Sequence, residues 1–369
     1  MTWRYWLGIL ALNMALVVSL RAIAPPQPVV SDRAAYEYVG RHGLEPDCPV
    51  SVYCYRVLVP VVLERLPGPP EARWRWFEGV SNVSAGFVLA LAATRVVPDP
   101  LAGVLSTIMA QTAYGFSFTA YDPYTADPLV FLISAAFALA WIADWPIVGL
   151  GLALVGGFVK ETVALVATSF GVGAVLDRAA RRWQWGAGAV AAWVVVLGFH
   201  WVMDTYAGWT LATSPAARLT SGSWLAVWSA DKSAGWIAFL LFVPFGFAWI
   251  FALLGYRVAP PRLRALTLGA LVPMLGLNYI QNPERGLANA FFVVIPLAVA
   301  FLARLPWPVA VLAAATNGLF TAKVGLSTMW LPQSRWLSIP AAAAAVWAIW
   351  SGVRGRVDDP SPVPQWRRP

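Results

Sequence analysis

Charge is scarce in this chain. Lysine, arginine, aspartate and glutamate make up 12% of its 369 residues, against 59% for the hydrophobic types. Soluble globular domains carry roughly twice that charged share, so a water-soluble globule is excluded. Short alternating segments of the barrel type are also missing; the apolar runs are long, and the chain reads as all-α. Cysteine and histidine number two each, and no histidine stands at a zinc-ligand spacing from Cys48 and Cys54, which argues against a Cys/His zinc module. There is no P-loop, no Ser-His-Asp signature and no G-x-G-x-x-G in context, so nucleotide-driven cytoplasmic chemistry has no support. The net charge is +8, yet the arginines are spread over loops between apolar segments, as in membrane proteins, and nucleic acid is rejected as a partner. The first segment lacks a small-residue cleavage site and reads as a retained helix. No internal repeat is visible.

What is there is a polytopic transmembrane helical bundle of about 12 helices, some short or re-entrant, each full crossing needing roughly 20 apolar residues. Segment one runs from Tyr5 to Ala22 and ends at the proline-rich APPQP. An amphipathic extracytoplasmic first loop follows, over about residues 24–76, with a short helix to Arg41 and an interfacial or re-entrant piece from Tyr55 to Leu66. Crossings are predicted at Phe77–Val97, Leu101–Ala120, Pro128–Trp145, Ala187–Met203, Ala234–Leu254, Ala265–Ile280, Leu287–Ala303, Val309–Gly325 and Leu337–Ser351. Residues 1–355 form a single transmembrane domain, and 356–369 a disordered cytoplasmic tail. Tryptophans such as Trp3, Trp145, Trp183 and Trp307 flank the segments as an interfacial belt.

The run from Ile147 to Leu176 is roughly 45 Å long as a helix, too long for one simple crossing. Gly156, Gly157 and the pair Lys160–Glu161 interrupt it, and we split it there into two short helices that meet near one surface. The count is then even. Both termini, the loop with Arg178, Arg181 and Arg182, and the group Arg257, Arg262 and Arg264 fall on one side, which marks it as cytoplasmic. Most acids fall on the other. Without the split every later loop inverts.

Four polar constellations stand on the predicted outer side. In SDRAAYEY, Asp32 and Tyr36 share a helical face, with Glu37 beside them. Asp32 reads either as a general base at the membrane surface or, more blandly, as a first-turn acid favouring the helix dipole. In YDPYTADP, Asp122 and Asp127 each precede a proline. They are candidate ligands for a divalent cation; for Asp127 an ordinary helix start is the plainer reading. In Lys160–Glu161–Thr162, the lysine is a candidate for holding a lipid phosphate with Glu161 orienting it, against a self-compensating pair in a re-entrant corner. In NPERG, Arg285 follows Glu284 and suits bidentate phosphate binding, as does Arg56 in YRVLVP; a salt bridge to an outer acid is the alternative for each.

These fragments, in this order, resemble the GT-C superfamily of integral-membrane glycosyltransferases. The fragments are SDRAAYEY and YRVLVP, then YDPYTAD before a helix, GGFVKETVAL between two short helices, and PERGLANAFFVVIP late in the chain. The resemblance implies transfer of a sugar from a polyprenyl-phosphate donor to a lipid, glycan or protein acceptor on the extracytoplasmic face of a bacterial cytoplasmic membrane. It places the loop-one base on Asp32, with Glu37 as substitute, and the phosphate-side cations on Lys160 and Arg285, with Arg56 as a further candidate. Tyr36, Asp122, Asp127, Glu161 and Glu284 join them as substrate-binding candidates. A divalent cation is the one cofactor the pattern admits. The chain departs from the family pattern where Asp32 is followed by Arg33 and Ala34 rather than by a second acid.

Two other classes stay open. A lipid or solute transporter would show paired broken helices in both halves, and no break matching Lys160–Glu161 is visible in the second half. A non-catalytic assembly subunit is the other. Cys48 and Cys54 sit in the outer loop, where oxidation is permitted, and are predicted to form a short disulfide loop. Peptide mass mapping with and without reductant is expected to show them linked, and two free thiols would refute the pairing.

Overall fold

The structure is a computed structural model that describes residues 1–23, 33–45, 54–206, 229–230, 232–276, 283–322 and 332–358. No strand occurs among the described residues, and the protein is an all-α integral membrane bundle. Helix α1 (Trp3–Ile23) is 21 residues long, about 31 Å, which matches a hydrocarbon core of roughly 30 Å. Two more long helices, α4 (Pro70–Val96) and α10 (Arg182–Tyr206), and residues 336–354 of the last helix are also long and apolar enough to cross. Leu7, Met14 and Val18 of the first helix and Val190, Val194 and Trp201 of α10 are exposed. Such a surface suits lipid, whose tails are as apolar as the side chains.

Between α1 and α4 lie two short helices, α2 (Arg33–His42) and α3 (Leu58–Glu64). The second lies within Tyr55–Leu66, the stretch expected to be interfacial or re-entrant. Arg73 ends it, donating from Nη1 to the carbonyls of Leu63 (2.9 Å) and Glu64 (2.6 Å) and from Nη2 to the Glu64 carboxylate (2.9 Å). A cation at a helix C-terminus meets carbonyls that the helix itself leaves unpaired.

The expected Leu101–Ala120 crossing is broken at Ala113 into α5 (Pro100–Thr112) and α6 (Tyr114–Tyr121). Helix α7 (Asp127–Ala143) follows. The long apolar run divides at residues 158–161, as the sequence suggested, into α8 (Pro146–Gly157) and α9 (Thr162–Leu176). These two pack against each other and both pack on α10. The reversal can be read from the two ends of α7. Asp127, its first residue, meets Lys160; Asp144, just past its last, meets Arg262 (2.6 Å). Seventeen residues separate those ends by about 25 Å, so the 158–161 junction and the Arg262 loop lie at opposite ends of the bundle.

The second half corrects the expectation of unbroken crossings. Ala234–Leu254 is divided into α11 (Ala234–Phe242) and α12 (Ala248–Tyr256), with Gly246 at φ +53° between them. Asn317 supplies the physical reason. Its Oδ1 accepts from the Phe247 N–H (2.7 Å) and its Nδ2 donates to the Phe245 carbonyl (3.2 Å). The Tyr114 N–H donates to the Pro244 carbonyl (3.4 Å), which brings this break onto the break at Ala113. Inside a bilayer, backbone groups freed by a break have no water and must be met by protein. Ala265–Ile280 is likewise divided, into α13 (Pro261–Gly269) and α14 (Leu271–Leu275). Leu287–Ala303 becomes α15 (Pro283–Ala288) and α16 (Phe291–Leu302). Then come α17 (Trp307–Thr321) and α18 (Pro332–Asp358). The last helix includes residues 356–358 of the expected tail; residues 359–369 lie outside the described ones.

The core is made by the short helices. Every residue of α16 is buried, and Phe116, Phe131, Phe170, Phe291 and Phe292 form stacked and edge-on pairs around it. A polar seam binds α1 to this core. Asn13 donates to Thr107 (3.1 Å), Gln111 donates to Asn13 (2.8 Å), and Asn82 donates to Glu78 (2.6 Å) and Thr119 (2.9 Å). Arg21, at the end of α1, closes the seam on Glu78 through Nε (2.9 Å). In hydrocarbon, side-chain hydrogen bonds between helices replace the missing hydrophobic drive.

Helices α12 and α16 approach closely at Gly255, where an added Cβ would strike the Leu297 carbonyl. Backbone on a neighbouring helix cannot move aside as a side chain can, and overpacking typically costs 1–3 kcal/mol. Gly255→Ala is therefore expected to destabilise the purified protein by about 2 kcal/mol or more, read as a fall in Tm in detergent. Gly8→Ala, where nothing lies within 4 Å, is expected to change it by less than about 0.5 kcal/mol.

Candidate functional site

Five separate stretches of chain meet at the end of the bundle that holds the 158–161 junction. Arg56 enters just before α3. Its guanidinium grips Glu161 in a two-pronged pair, Nη2 to Oε1 at 2.6 Å and Nε to Oε2 at 3.2 Å. Its Nη1 reaches the Tyr36 hydroxyl of α2 at 3.3 Å. The junction itself is seated by the Leu58 N–H, which donates to the Phe158 carbonyl (3.3 Å). Next to Glu161, Lys160 turns the other way and pairs with Asp127 Oδ1 at the start of α7. The other oxygen of Asp127 accepts from Arg285 Nη2 of α15 at 3.1 Å. The Arg285 guanidinium lies over the Phe118 ring, 4.4 Å from its centre.

This geometry refines two of the plainer readings. Asp127 does start α7, with Pro128 next, but its carboxylate does not cap the helix: it is spent on two cations, while Ala126 occupies the cap position with no side-chain bond. Lys160 and Glu161 are not a self-contained pair; each is ion-paired with a residue far away in the chain. The salt-bridge reading of Arg56 and Arg285 holds for both.

Burial makes these pairs matter. The side chains of Arg56 and Glu161 are 10% and 6% exposed, those of Lys160 and Asp127 14% and 10%. Planar guanidinium-to-carboxylate forks are the strongest such contacts, and unpaired charge at this depth is costly. In the junction, burial lowers the pKa of Lys160, with Asp127 opposing. At Glu161 burial pushes up, but Arg56 outweighs it and holds the carboxyl below its ordinary value. In these pairs three cations face two carboxylates.

The other candidates fall around this core. Glu37 is tied along its own helix, to Arg33 (2.7 Å) and Arg41 (3.2 Å). Arg33 also bonds Glu71 and covers the Tyr124 ring at 4.8 Å, and Tyr36, Trp74 and Tyr124 continue as neighbouring rings 5.4 Å apart. So α2, α4 and the 122–126 loop are stacked together. Burial pushes the Tyr124 phenol up to about 12, with Arg33 pulling the other way. Asp122 is buried at the end of α6. Glu284 stands in the first turn of α15 and, with Arg285, acts electrostatically on Tyr114. Asp32 and Cys48 lie outside the described residues; Cys54 is buried and disulfide-bonded.

Sequence reasoning missed Phe118, Tyr124 and the pair Tyr55–His200, whose rings stack at 3.9 Å beside Arg56 and Glu161. Tyr55 also bonds Asp204. His200 as a singleton in an apolar helix carried no signal; Phe118 and Tyr124 did stand within YGFSFTAYDPYTADP, but aromatic residues are too common there to point to a role. Among the described residues no group of three or more His, Cys, Asp or Glu side chains is placed to hold a metal ion.

No protein-family model matches the chain, and no curated protein matches it by sequence. Among solved structures it is similar to the archaeal oligosaccharyltransferase AglB from Archaeoglobus fulgidus, described in complex with an inhibitory peptide and a dolichol-phosphate. The TM-score is 0.53 at 12% identity, over 96% of this chain and 56% of that one. The likeness is one of fold, and the chain spans little more than half the length of that neighbour.

The shared carboxylate sets a stability test. Asp127→Asn leaves two partly buried cations without their anion and is expected to cost about 3 kcal/mol, seen as a large fall in Tm. Glu37→Gln removes only partly exposed pairs and is expected to cost less than about 1 kcal/mol.

Proposed function

We propose that the protein is a GT-C-type glycosyltransferase that moves a sugar from a polyprenyl-phosphate donor to a lipid, glycan or protein acceptor. The observation that carries this reading is the meeting of Arg56, Lys160 and Arg285 with the start of α7 at one end of the bundle. A lipid-phosphate donor keeps its tail in the bilayer and presents its phosphate at the rim, where these cations stand. Its leaving group is the lipid phosphate, whose developing charge is stabilised by fixed cations in a dry site. Lys160 and Arg285 fill that role, Asp127 holding them in place, and Glu161 orients Arg56. The acceptor hydroxyl needs a base near the phosphate. Asp32, the residue before α2, is that base in this reading. Glu37, bound to two arginines, is a poorer one. A divalent cation would draw on Asp122, since Asp127 is occupied by cations.

The fold likeness to a protein described with a dolichol-phosphate supports the choice of donor class. The site faces the extracytoplasmic side in this proposal, because the opposite end carries the arginine-rich loops; both termini are then cytoplasmic, in a bacterial cytoplasmic membrane. The transporter reading gains broken crossings in the second half, at residues 243–247, 270 and 289–290; in the first, Asn317 meets the backbone groups and no ionisable side chain stands there, and beside the last, Arg285 is paired with Asp127.

The test is consumption of a polyprenyl-phosphate-linked sugar by the reconstituted protein. Asp32→Asn is expected to lower turnover by about 10²–10⁴ with an unchanged Tm. Undiminished turnover removes Asp32 as the base.

A further inference from the structure

The end of the bundle opposite the candidate site carries a second concentration of charge, mostly positive. Asp144 follows α7 in a left-handed conformation (φ +58°). Its carboxylate takes Arg262 Nη2 at 2.6 Å and its carbonyl takes Arg181 Nη1 at 3.4 Å. Helices α9 and α13 run antiparallel and touch at Gly173 and Leu266. Their close contact carries Arg178, just past α9, to the level of Arg262, at the start of α13. Arg182, Arg257 and Arg264 stand on the same two loops and the first turn of α13. Six arginines thus gather on one end, and the acids facing them are Asp144 and Asp177, both within the field of Arg262.

Most of this charge is not neutralised. Arg178, Arg181, Arg182 and Arg257 are exposed and Arg264 is half-buried. Among the described residues Arg178, Arg257 and Arg264 make no ion pair. Arg262 lies over the Trp141 ring at 4.8 Å, and its Nε is buried with no hydrogen-bond partner. Trp183 is 79% exposed beside Arg182, and Trp145 is 46% exposed beside Asp144. Exposed indoles mark the headgroup level of a bilayer, so these arginines stand at phosphate depth.

We propose that this patch binds the phosphate headgroup of an anionic phospholipid, with Arg178, Arg181 and Arg264 around Arg262 as its ligands. The inference does not depend on the sugar-transfer reading. A soluble phosphate would meet the same donors, but the tryptophans set the patch at the lipid surface, and the bilayer is the source to which we assign it. Basic side chains near an anionic leaflet contribute about fivefold each to lipid affinity.

The full chain is reconstituted into nanodiscs of equimolar phosphatidylcholine and phosphatidylglycerol, and the lipids it retains on transfer to detergent are counted by native mass spectrometry. The wild type is expected to retain phosphatidylglycerol in preference. The triple variant Arg178→Gln, Arg181→Gln, Arg264→Gln is expected to lower that retention on the order of a hundredfold, with the same Tm in phosphatidylcholine alone. If the triple variant does not fold, Arg264→Gln alone, expected to lower retention about fivefold, decides in its place. Equal retention of the two lipids, retention unchanged in the variant, or displacement of the lipid by glycerol phosphate at matched concentration would overturn the proposal.

Discussion

The pairing of buried charges at the 158–161 junction is the constraint on which the rest of the structure depends. A lysine and a glutamate placed side by side in apolar sequence cannot both remain in hydrocarbon alone. Each draws a partner from elsewhere: Asp127 for Lys160, Arg56 for Glu161. Those two demands bring the start of α7 and the approach to α3 to the same place. Arg285 then joins Asp127 from the far end of the sequence. The chain reverses at the junction because both partners stand at the same end of the bundle. The arginines of the Asp144 turn, about 25 Å away along α7, mark the other end.

This arrangement joins stability to the proposed chemistry. Carboxylates that neutralise the cations in the resting protein also hold them where a lipid phosphate would arrive. Rings stacked from Tyr36 through Trp74 to Tyr124 tie α2 to the acidic loop, and Arg33 closes the stack. Arg33 clamps Glu37, Glu71 and Tyr124 together.

Much of the fold was legible because it follows from composition and length. Apolar runs predict membrane helices, and the thirty-odd residues around Lys160 are too many for one crossing at 1.5 Å per residue. Most candidate site residues were legible as polar groups with no reason to be in oily sequence: Arg56, Asp127, Lys160, Glu161 and Arg285 do converge. Their partners were not legible, since Arg56 finds Glu161 across 105 positions and Arg285 finds Asp127 across 158. The broken helices were missed for the same reason. Nothing in Ala234–Leu254 shows that Asn317 will take over its backbone bonds. Asn13, Asn82 and Gln111 likewise look like stray polar residues until α1, α4 and α5 are side by side.

The reversal at Lys160 is the claim from which both ends of the bundle follow, and labelling of single cysteines tests it most directly. Phe158 is partly exposed at the junction and Trp183 is exposed one crossing later; Cys54 is already disulfide-bonded. With a membrane-impermeant thiol reagent, Phe158→Cys and Trp183→Cys are predicted to label from opposite sides of the membrane. Labelling of both from the same side would contradict the account.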